Sequence, residues 1–379
     1  MSQSITKALS KMLTAVFVFS VIASSLPVIA AESKNSIDDL KKIQNNIREK
    51  DPQKIQSEKL TKKNKDVQVS NQKDLDIEID SSTKQIRVKN AKKGNTTIGI
   101  PNGEQLTDVQ TIDNQVIFSN KNAKFDVVAE ALDGGVRQVI NIKDSSAPTE
   151  YDFPISLDVG EKIVVNEDGS AMVTTPLSEK EKAKREELVK TAPAGIIVPM
   201  YDAKFSVAKP WARDANGTEL RTYYTVSGSN LRQTIETKDA VFPVVADPGY
   251  CSQYIVSNDY VLRNYYQNQY RWMYEVLPTY CGKASYAPTN WDEWNEVTQK
   301  DTSPSPLCDM RCYGTSTYWS LYNQYMCHSD WINLSNVVGI MPGTNQEYRD
   351  RYHLEAWRLD KVYWSFVANK CNGDPNTTN

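Results

Sequence analysis

The first 250 residues of this 379-residue chain contain no cysteine and no histidine, and Trp211 is their only tryptophan. The six cysteines, both histidines, seven of the eight tryptophans and most tyrosines all follow residue 249. Two chemically different polypeptides are therefore joined end to end. We therefore expect the catalytic or binding side chains to lie within residues 249–379.

The chain also lacks an excess of either charge, with 44 basic against 47 acidic residues and a formal charge of -3. With 40% hydrophobic residues, this composition excludes collagen, wholesale disorder and a polytopic membrane protein. No basic excess is present to neutralise phosphates, so no nucleic-acid partner is expected. After residue 31 no apolar run approaches the roughly 20 residues of a membrane span, so no stable span is expected.

The amino terminus has the pattern of an export signal. Lys7 and Lys11 precede the apolar run 12–23, and Pro27 and small residues up to Ala31 follow it. This order predicts a signal peptide over residues 1–31 and a secreted, extracellular protein. A membrane anchor is the alternative, but Pro27 and the serines before it leave the apolar run too short.

Three further segments are distinguished by their patterns. Residues 32–74 are rich in lysine and nearly free of aromatics, which predicts a solvated, charged spacer with one short helix. Residues 75–248 contain short runs of β-branched residues separated by turn pairs such as Asn102-Gly103, which predicts a β-rich presentation domain. An inserted helix is expected at 177–190, with Ser178 and Glu181 as its capping box and a surface position.

Residues 249–379 are predicted to form a mainly α, aromatic-rich domain. Four helices are expected, near residues 260–277, 290–297, 315–328 and 355–368, from approximate 3.6-residue periods and an Asn290 cap. The fold class that follows is α+β and multidomain: an amino-terminal antiparallel β-sandwich-like domain followed by a disulfide-stapled helical domain.

The cysteines have two interpretations. An even number of cysteines in an exported protein predicts a disulfide framework, and six allow 15 pairings. A zinc site at Cys308, Cys312, Cys327 and His328 is the alternative, but it lacks the second spaced ligand pair of a finger or ribbon. We therefore expect no metal and no cofactor, and we assign all six residues to bridges: Cys251, Cys281, Cys308, Cys312, Cys327 and Cys371.

His328 and His353 are the candidate catalytic residues, because only histidine has an unperturbed pKa suited to proton transfer near neutrality. Asp330 and Glu355 each follow a histidine by two residues and are the candidate orienting carboxylates. Packed histidines without a catalytic role are the alternative. The carboxylates of the helix at 290–297 are attributed to its dipole rather than to catalysis.

Four tryptophans are candidates for binding, since exposed aromatic rings stack on sugars or anchor at membrane interfaces. They are Trp291, Trp294, Trp357 and Trp364. Filling of the core is the alternative role for most of them.

Several motifs in residues 140–248 stand in one order, among them the segments 208–217 and 223–228 and the closing Pro243-Val-Val-Ala-Asp-Pro248. Together they resemble a β-rich preamble of secreted Gram-positive proteins, best represented in actinobacteria. The resemblance implies a presentation module that precedes variable carboxy-terminal cargo, and it brings no catalytic residue. The charged helix at 177–190 departs from the pattern.

The carboxy-terminal pattern of Cys327-His328, Trp357-Arg358, Tyr363-Trp364 and Cys371 resembles a second group, a Cys- and Trp-rich domain of unknown function in secreted Gram-positive proteins. This resemblance covers about the last 60 residues. It implies export and no particular activity.

These patterns favour a secreted bacterial effector without enzymatic turnover, in the manner of a bacteriocin-like toxin. Its expected partners are a bacterial cell-surface or envelope component and an immunity protein. A secreted hydrolase, either a nuclease or a cell-wall enzyme, that uses His328 or His353 is one alternative. A non-toxic adhesive or structural exoprotein is the other.

Overall fold

The structure is a computed structural model that describes residues 37–52, 55–193, 196–265, 269–283, 290–304, 310, 314–338, 351–356 and 371. At residues 263–265, 269–271, 290 and 330–338 it describes the backbone alone. Residues 1–36, which include the predicted signal peptide, lie outside the described residues.

Short antiparallel strands make up most of the described chain before residue 252. In chain order they are β1 (Thr61–Lys62), β2 (Val67–Gln72), β3 (Leu75–Asp80), β4 (Gln85–Asn90), β5 (Gly94–Gly99), β6 (Asp108–Ile112), β7 (Gln115–Ser119), β8 (Phe125–Leu132), β9 (Gly135–Ile142), β10 (Glu150–Pro154), β11 (Lys162–Val165), β12 (Ala171–Thr175), β13 (Asp202–Val207), β14 (Trp211–Arg213), β15 (Thr222–Ser227), β16 (Asn230–Ile235), β17 (Val244–Asp247) and β18 (Gly249–Cys251).

These strands form three sheets. A ten-stranded sheet has the order β11-β12-β13-β18-β9-β8-β7-β6, and its β17 pairs with both β14 and β9. The sheets β1-β2-β3-β4-β5 and β10-β16-β15 are smaller, and a bridge between Ile98 and Ile155 joins them.

The large sheet packs its inner face on the two smaller sheets. One continuous apolar core contains Ile77 and Ile86 from the first small sheet, Phe153 from the second, and Phe118 and Phe125 from the large sheet. Alternating residues of each strand enter this core, as in a sandwich. The predicted antiparallel β architecture is confirmed.

Helix α1 (Ile37–Lys50) covers the outer face of the large sheet. Leu40, Ile43 and Ile47 follow the three-to-four-residue spacing of one helix face, and they pack on a patch that includes Val128 and Val139. The prediction that residues 32–74 form a solvated spacer is wrong for this helix and for β2. The segment is rich in lysine overall, but its few apolar residues lie on one face of the helix.

A buried charge cluster anchors the segment that follows α1. Arg137 of β9 donates from Nε to Glu130 Oε1 (2.6 Å) and from Nη1 to Asp51 Oδ2 (2.8 Å). Asp247 of β17 lies in the same cluster, where burial raises its pKa to about 7 despite the Arg137 charge. A single guanidinium thus balances several carboxylates in the interior.

Helix α2 (Glu179–Thr191) confirms the predicted inserted helix. Its cap is the expected one, because the Ser178 side chain accepts a hydrogen bond from the Glu181 N–H. Most of its residues are exposed, as the predicted surface position requires, but Arg185 and Leu188 form a buried inner face. Leu188 joins the apolar core of the carboxy-terminal part, and Arg185 donates to the Pro199 carbonyl (2.8 Å).

The carboxy-terminal part combines a β-hairpin with helices, so the predicted α+β class is confirmed. Its elements are β19 (Ile255–Tyr265), β20 (Gln269–Pro278), α3 (Tyr280–Lys283), α4 (Asn290–Gln299), α5 (Ser316–Val338) and β21 (Tyr352–Leu354). The helices expected near 290 and 315 are confirmed. The helix expected over 355–368 lies almost entirely outside the described residues.

The helix predicted over residues 260–277 is wrong, because β19 and β20 pair there as an antiparallel hairpin. The segment is rich in aromatic and β-branched residues, which favour strands. The spacing of its apolar residues fits both the 3.6-residue period of a helix and the two-residue period of a strand. No helix in the described part of the chain combines the length and the apolar character of a membrane span.

Candidate functional site

Two disulfides fix the carboxy-terminal part, as the oxidising-compartment interpretation predicted. Cys251 at the end of β18 is bonded to Cys281 of α3, and Cys327 of α5 is bonded to Cys371. The remaining predicted bridge cysteines, Cys308 and Cys312, lie outside the described residues.

The zinc alternative does not fit this arrangement. The bond to Cys371 removes the Cys327 thiolate that a site with Cys308, Cys312 and His328 would require. Among the described residues, no cluster of three or more metal-ligating side chains is present.

Buried carboxylates on α4 form the polar centre of the carboxy-terminal part. Glu296 Oε2 accepts hydrogen bonds from the backbone N–H groups of Tyr254 (2.7 Å) and Ile255 (2.9 Å), and Lys93 Nζ lies 2.9 Å from its Oε1 atom. Glu296 therefore holds the start of the hairpin against the helix and against the β4–β5 turn. The sequence interpretation, a first-turn carboxylate in the helix dipole, missed this role.

Glu293 is one turn earlier on α4 and is also buried. Its Oε2 atom accepts hydrogen bonds from the Tyr325 hydroxyl (2.7 Å) and the Ser329 hydroxyl (3.2 Å). Burial raises the pKa of Glu293 to about 8, and the neighbouring carboxylates Glu296 and Asp292 add to the rise. The group is thus a protonated, hydrogen-bonded carboxyl at neutral pH.

The two candidate histidines lie together, but not as a pair of facing rings. His328 Nε2 donates to the backbone carbonyl of His353 (3.2 Å), and the His328 ring stacks on Tyr352 with 5.5 Å between ring centroids. His353 Nε2 lies 3.4 Å from Glu275 Oε1 on the neighbouring strand. The ring of His328 thus contacts the backbone of His353.

The carboxylate observed beside His353 is Glu275, which the sequence did not indicate. Glu275 faces His353 in the register of β20 and β21, so the two residues are close in space although they are distant in sequence. Glu355 is buried, and its backbone pairs with the side-chain amide of Gln324: the Glu355 carbonyl accepts from Gln324 Nε2 (3.1 Å), and the Glu355 N–H donates to Gln324 Oε1 (2.8 Å). For Asp330 the structure describes only the backbone.

The His353–Glu275 pair has the composition of a general base with its orienting carboxylate. His353 is only 7% exposed, however, which places its ring in the packed interior. A groove of about 580 Å³ between the small sheets is lined by residues such as Lys84, Thr97 and Ser156, and by neither histidine.

Trp291 and Trp294 are buried, so the prediction that they form exposed binding platforms is wrong for the folded chain. Trp294 packs among tyrosines of α5, with ring centroids 5.6 Å from Tyr318 and 5.8 Å from Tyr325. These residues fill the core, as the alternative interpretation predicted. Trp357 and Trp364 lie outside the described residues.

Exposed aromatic surface occurs instead on the hairpin of β19 and β20, which we call the aromatic hairpin. Leu262 and Trp272 face each other across its two strands, and each is 49% exposed. Tyr260 stacks on Trp272 with 4.9 Å between ring centroids and an interplanar angle of 10°. An alternating apolar pattern in residues 260–276 was the sequence signal that could have identified this surface.

The same face of the aromatic hairpin extends the core outward. Tyr274 is fully buried, and its ring centroid lies 5.0 Å from that of Tyr260. The three rings of Tyr274, Tyr260 and Trp272 thus form an aromatic ladder from the interior to the exposed pair.

Comparison with protein-family models, curated proteins and solved structures finds no match to this chain. The two resemblances to secreted Gram-positive proteins therefore stay predictions.

Proposed function

We propose that the chain is an exported effector that acts at the surface of another bacterial cell through its carboxy-terminal part, in the manner of a bacteriocin-like toxin. The observation that carries the proposal is the exposed Leu262–Trp272 pair at the outer end of the aromatic ladder. A contiguous apolar patch on an exported protein is a candidate contact surface, because each such side chain in water forgoes the gain of burial.

The disulfides support the export component of this proposal. Bonds such as Cys251–Cys281 persist in oxidising compartments and are rare in the cytosol. The same bond ties α3, which directly follows β20 of the aromatic hairpin, to β18 of the large sheet.

The proposal is tested by adding the purified full chain to a panel of Gram-positive cells and measuring both binding and survival. Leu262→Ser with Trp272→Ser should reduce both. Tyr223→Ser with Val226→Ser is the matched control, because it removes two comparably exposed residues from the edge strand β15. Absence of binding and killing across the panel would refute the proposal.

An immunity protein is the expected partner of such an effector in the producing cell. Its presence predicts a small neighbouring gene whose product protects target cells when expressed in them. Binding without loss of viability, and no protective gene, would instead support an adhesive or structural exoprotein.

A secreted hydrolase is the second candidate, and the 3.4 Å approach of His353 Nε2 to Glu275 is the observation that favours it. His328→Gln with His353→Gln would then abolish killing while binding persists. Under the effector proposal, the double variant that retains its thermal transition should also retain killing.

A further inference from the structure

Lys143 directly follows β9 and reaches a buried carboxyl group on the neighbouring strand β8. Its Nζ atom lies 2.8 Å from Asp126 Oδ1, and the side chain of Asp126 is fully buried, whereas that of Lys143 is 30% exposed. Asp126 is opposite Asn141 in the strand register, and Asn141 precedes Lys143 by two residues. The three side chains therefore lie on the same face of the large sheet.

The two oxygens of the Asp126 carboxyl group have different neighbours. Lys143 Nζ lies beside Oδ1, while the buried Asn141 side chain donates from Nδ2 to Oδ2 (3.1 Å). A fixed donor at one oxygen of a carboxyl group stabilises the negative charge that develops there when a nucleophile adds to the carbon. The arrangement thus places an amine and an oxyanion donor on one carboxyl group.

The surroundings of the pair also favour its neutral form. Burial raises the pKa of Asp126, although the charge and the hydrogen bond of Lys143 oppose the rise. Transfer of one proton from Lys143 to Asp126 removes two opposite charges from a largely buried site. Lys143 Nζ donates to the backbone carbonyls of Ala123 (3.1 Å) and Asn120 (3.2 Å). The two hydrogens of a neutral amine can keep these acceptors, which leaves its lone pair for the carboxyl carbon.

We propose that Lys143 and Asp126 form an intramolecular amide bond that locks the open end of the β8–β9 hairpin. The Nζ lone pair adds to Asp126 Cγ, and the negative charge forms on Oδ2 beside Asn141. The Cγ–Oδ1 bond then breaks. Oδ1 leaves as water with the proton that it took from Lys143 and a second proton from Nζ, and the amide keeps one N–H.

This condensation needs no oxidant and no other co-reactant. Two groups that a fold holds in contact react as if each were present at a concentration far above any in solution. The fully buried position of Asp126 also limits the access of water, which would reverse the reaction.

The bond braces a part of the chain that has no cysteine, since the first 250 residues contain none. Strands β8 and β9 are neighbours inside the large sheet, and β17 and β18 both pair with β9. An amide bond is not broken by thiols, so this cross-link would persist where the disulfides of the carboxy-terminal part are reduced. The inference concerns the β scaffold and is independent of the proposed function.

Lys204 is a matched control within the same chain. Its Nζ atom lies 2.8 Å from Asp158 Oδ2 and 2.8 Å from Glu161 Oε1. Burial alone would lower the pKa of Lys204, but its hydrogen bonds to these two carboxylates raise it. Lys204 is thus held as an ammonium group, which has no lone pair, and we expect no amide bond there.

The test is mass spectrometry of tryptic peptides from the purified, folded full chain after its disulfides are reduced and alkylated. An amide bond at Lys143 blocks cleavage after that residue, so residues 125–137 should stay joined to residues 138–162. The joined species should be lighter than the sum of the two peptides by one water molecule. Fragmentation should place the link at Asp126, and cleavage after Lys204 should proceed.

Three variants test the assigned roles. Lys143→Arg keeps a positive charge without a nucleophilic amine, and Asp126→Ala removes the carbon that is attacked, so both should release residues 125–137 as a free peptide. Asn141→Ala removes the donor at Oδ2 and should lower the fraction of joined peptides. Circular dichroism and the thermal transition establish that each variant is folded. If Asp126→Ala unfolds, Lys143→Arg replaces it, because a guanidinium group can still pair with Asp126.

Free residues 125–137 from the folded parent chain would overturn the inference, and so would joined peptides from Lys143→Arg. A joined species that is lighter by one ammonia molecule would assign the bond to Asn141 and overturn its assignment to Asp126. An unchanged joined fraction in Asn141→Ala would contradict the role of Asn141. None of these results bears on the proposed function, which depends on the carboxy-terminal part.

Discussion

Cys251 and Cys281 join a strand of the large sheet to a helix of the carboxy-terminal part, with 5.8 Å between their Cα atoms. Cys251 pairs in register with Gly135 on one side and Ser206 on the other. The bond therefore links the two halves that differ so clearly in composition.

Replacing both cysteines by alanine should lower the free energy of unfolding by about 3 to 4 kcal/mol, the chain-entropy value for a loop of this length. The bond closes a loop of 30 residues, against 44 for Cys327–Cys371. Urea unfolding of the parent and of the double variant measures the difference. A loss below about 1 kcal/mol would mean that the unfolded chain is not constrained by this bond.

Glu293→Gln should change how stability depends on pH. Because the pKa of Glu293 is raised to about 8, the folded chain keeps a proton that the unfolded chain releases near pH 4.5. The stabilisation is complete below the unfolded pKa and is lost as pH rises through the folded one, with a slope of about 1.4 kcal/mol per pH unit between them.

Glutamine keeps an oxygen for Tyr325 and Ser329 but does not titrate. Urea unfolding should thus find the Glu293→Gln variant close to the parent at pH 5 and more stable than the parent at pH 9. Glu236→Gln, at a partly exposed ion pair with Arg221, is the control and should follow the parent. If the free energy of unfolding changed with pH in the same way for Glu293→Gln and the parent, Glu293 would not carry the proton inferred here.

Arg137→Met should destabilise the chain by about 3 to 5 kcal/mol, because it leaves buried carboxylates without their cation. Arg137, Asp51 and Glu130 have side chains no more than 2% exposed. Arg221→Met is the control, since its pair with Glu236 is at the surface and should be worth less than about 1 kcal/mol. Equal effects of the two substitutions in urea unfolding would contradict the inferred charge balance.

Proteolytic nicking near Ile197, which is 82% exposed, should leave the two fragments associated. Strands on both sides of the nick share the large sheet, where β12 pairs with β13 and β9 pairs with β17 and β18. Limited digestion with thermolysin followed by native gel filtration tests this. A single peak that separates only in denaturant is expected, and two peaks without denaturant would show that the cargo is released.

Sequence reasoning found the strands of the sandwich because their alternation and turns are local. The strand at residues 115–119, for example, is bounded by Asp113-Asn114, both of which adopt a positive φ. The aromatic hairpin was misassigned because its apolar residues fit two periods. Only pairing with a distant partner decides between those periods.

The contacts of the candidate site could not be predicted from the sequence, because they join residues that are far apart along the chain. Glu275 and His353 are separated by 78 residues and meet only through the β20–β21 register. Lys93 and Glu296 approach across the two halves of the molecule. The burial of Trp294 likewise depends on the docking of α5.

Strand β18 lies between β9 and β13 in the large sheet, although it is the last strand of that sheet along the chain. The large sheet lacks an interior strand until Gly249–Cys251 has been made, so the amino-terminal part is not closed at Pro248. An exchange of the carboxy-terminal part that keeps the scaffold intact must therefore be spliced after Cys251, and it must supply a new partner for that thiol.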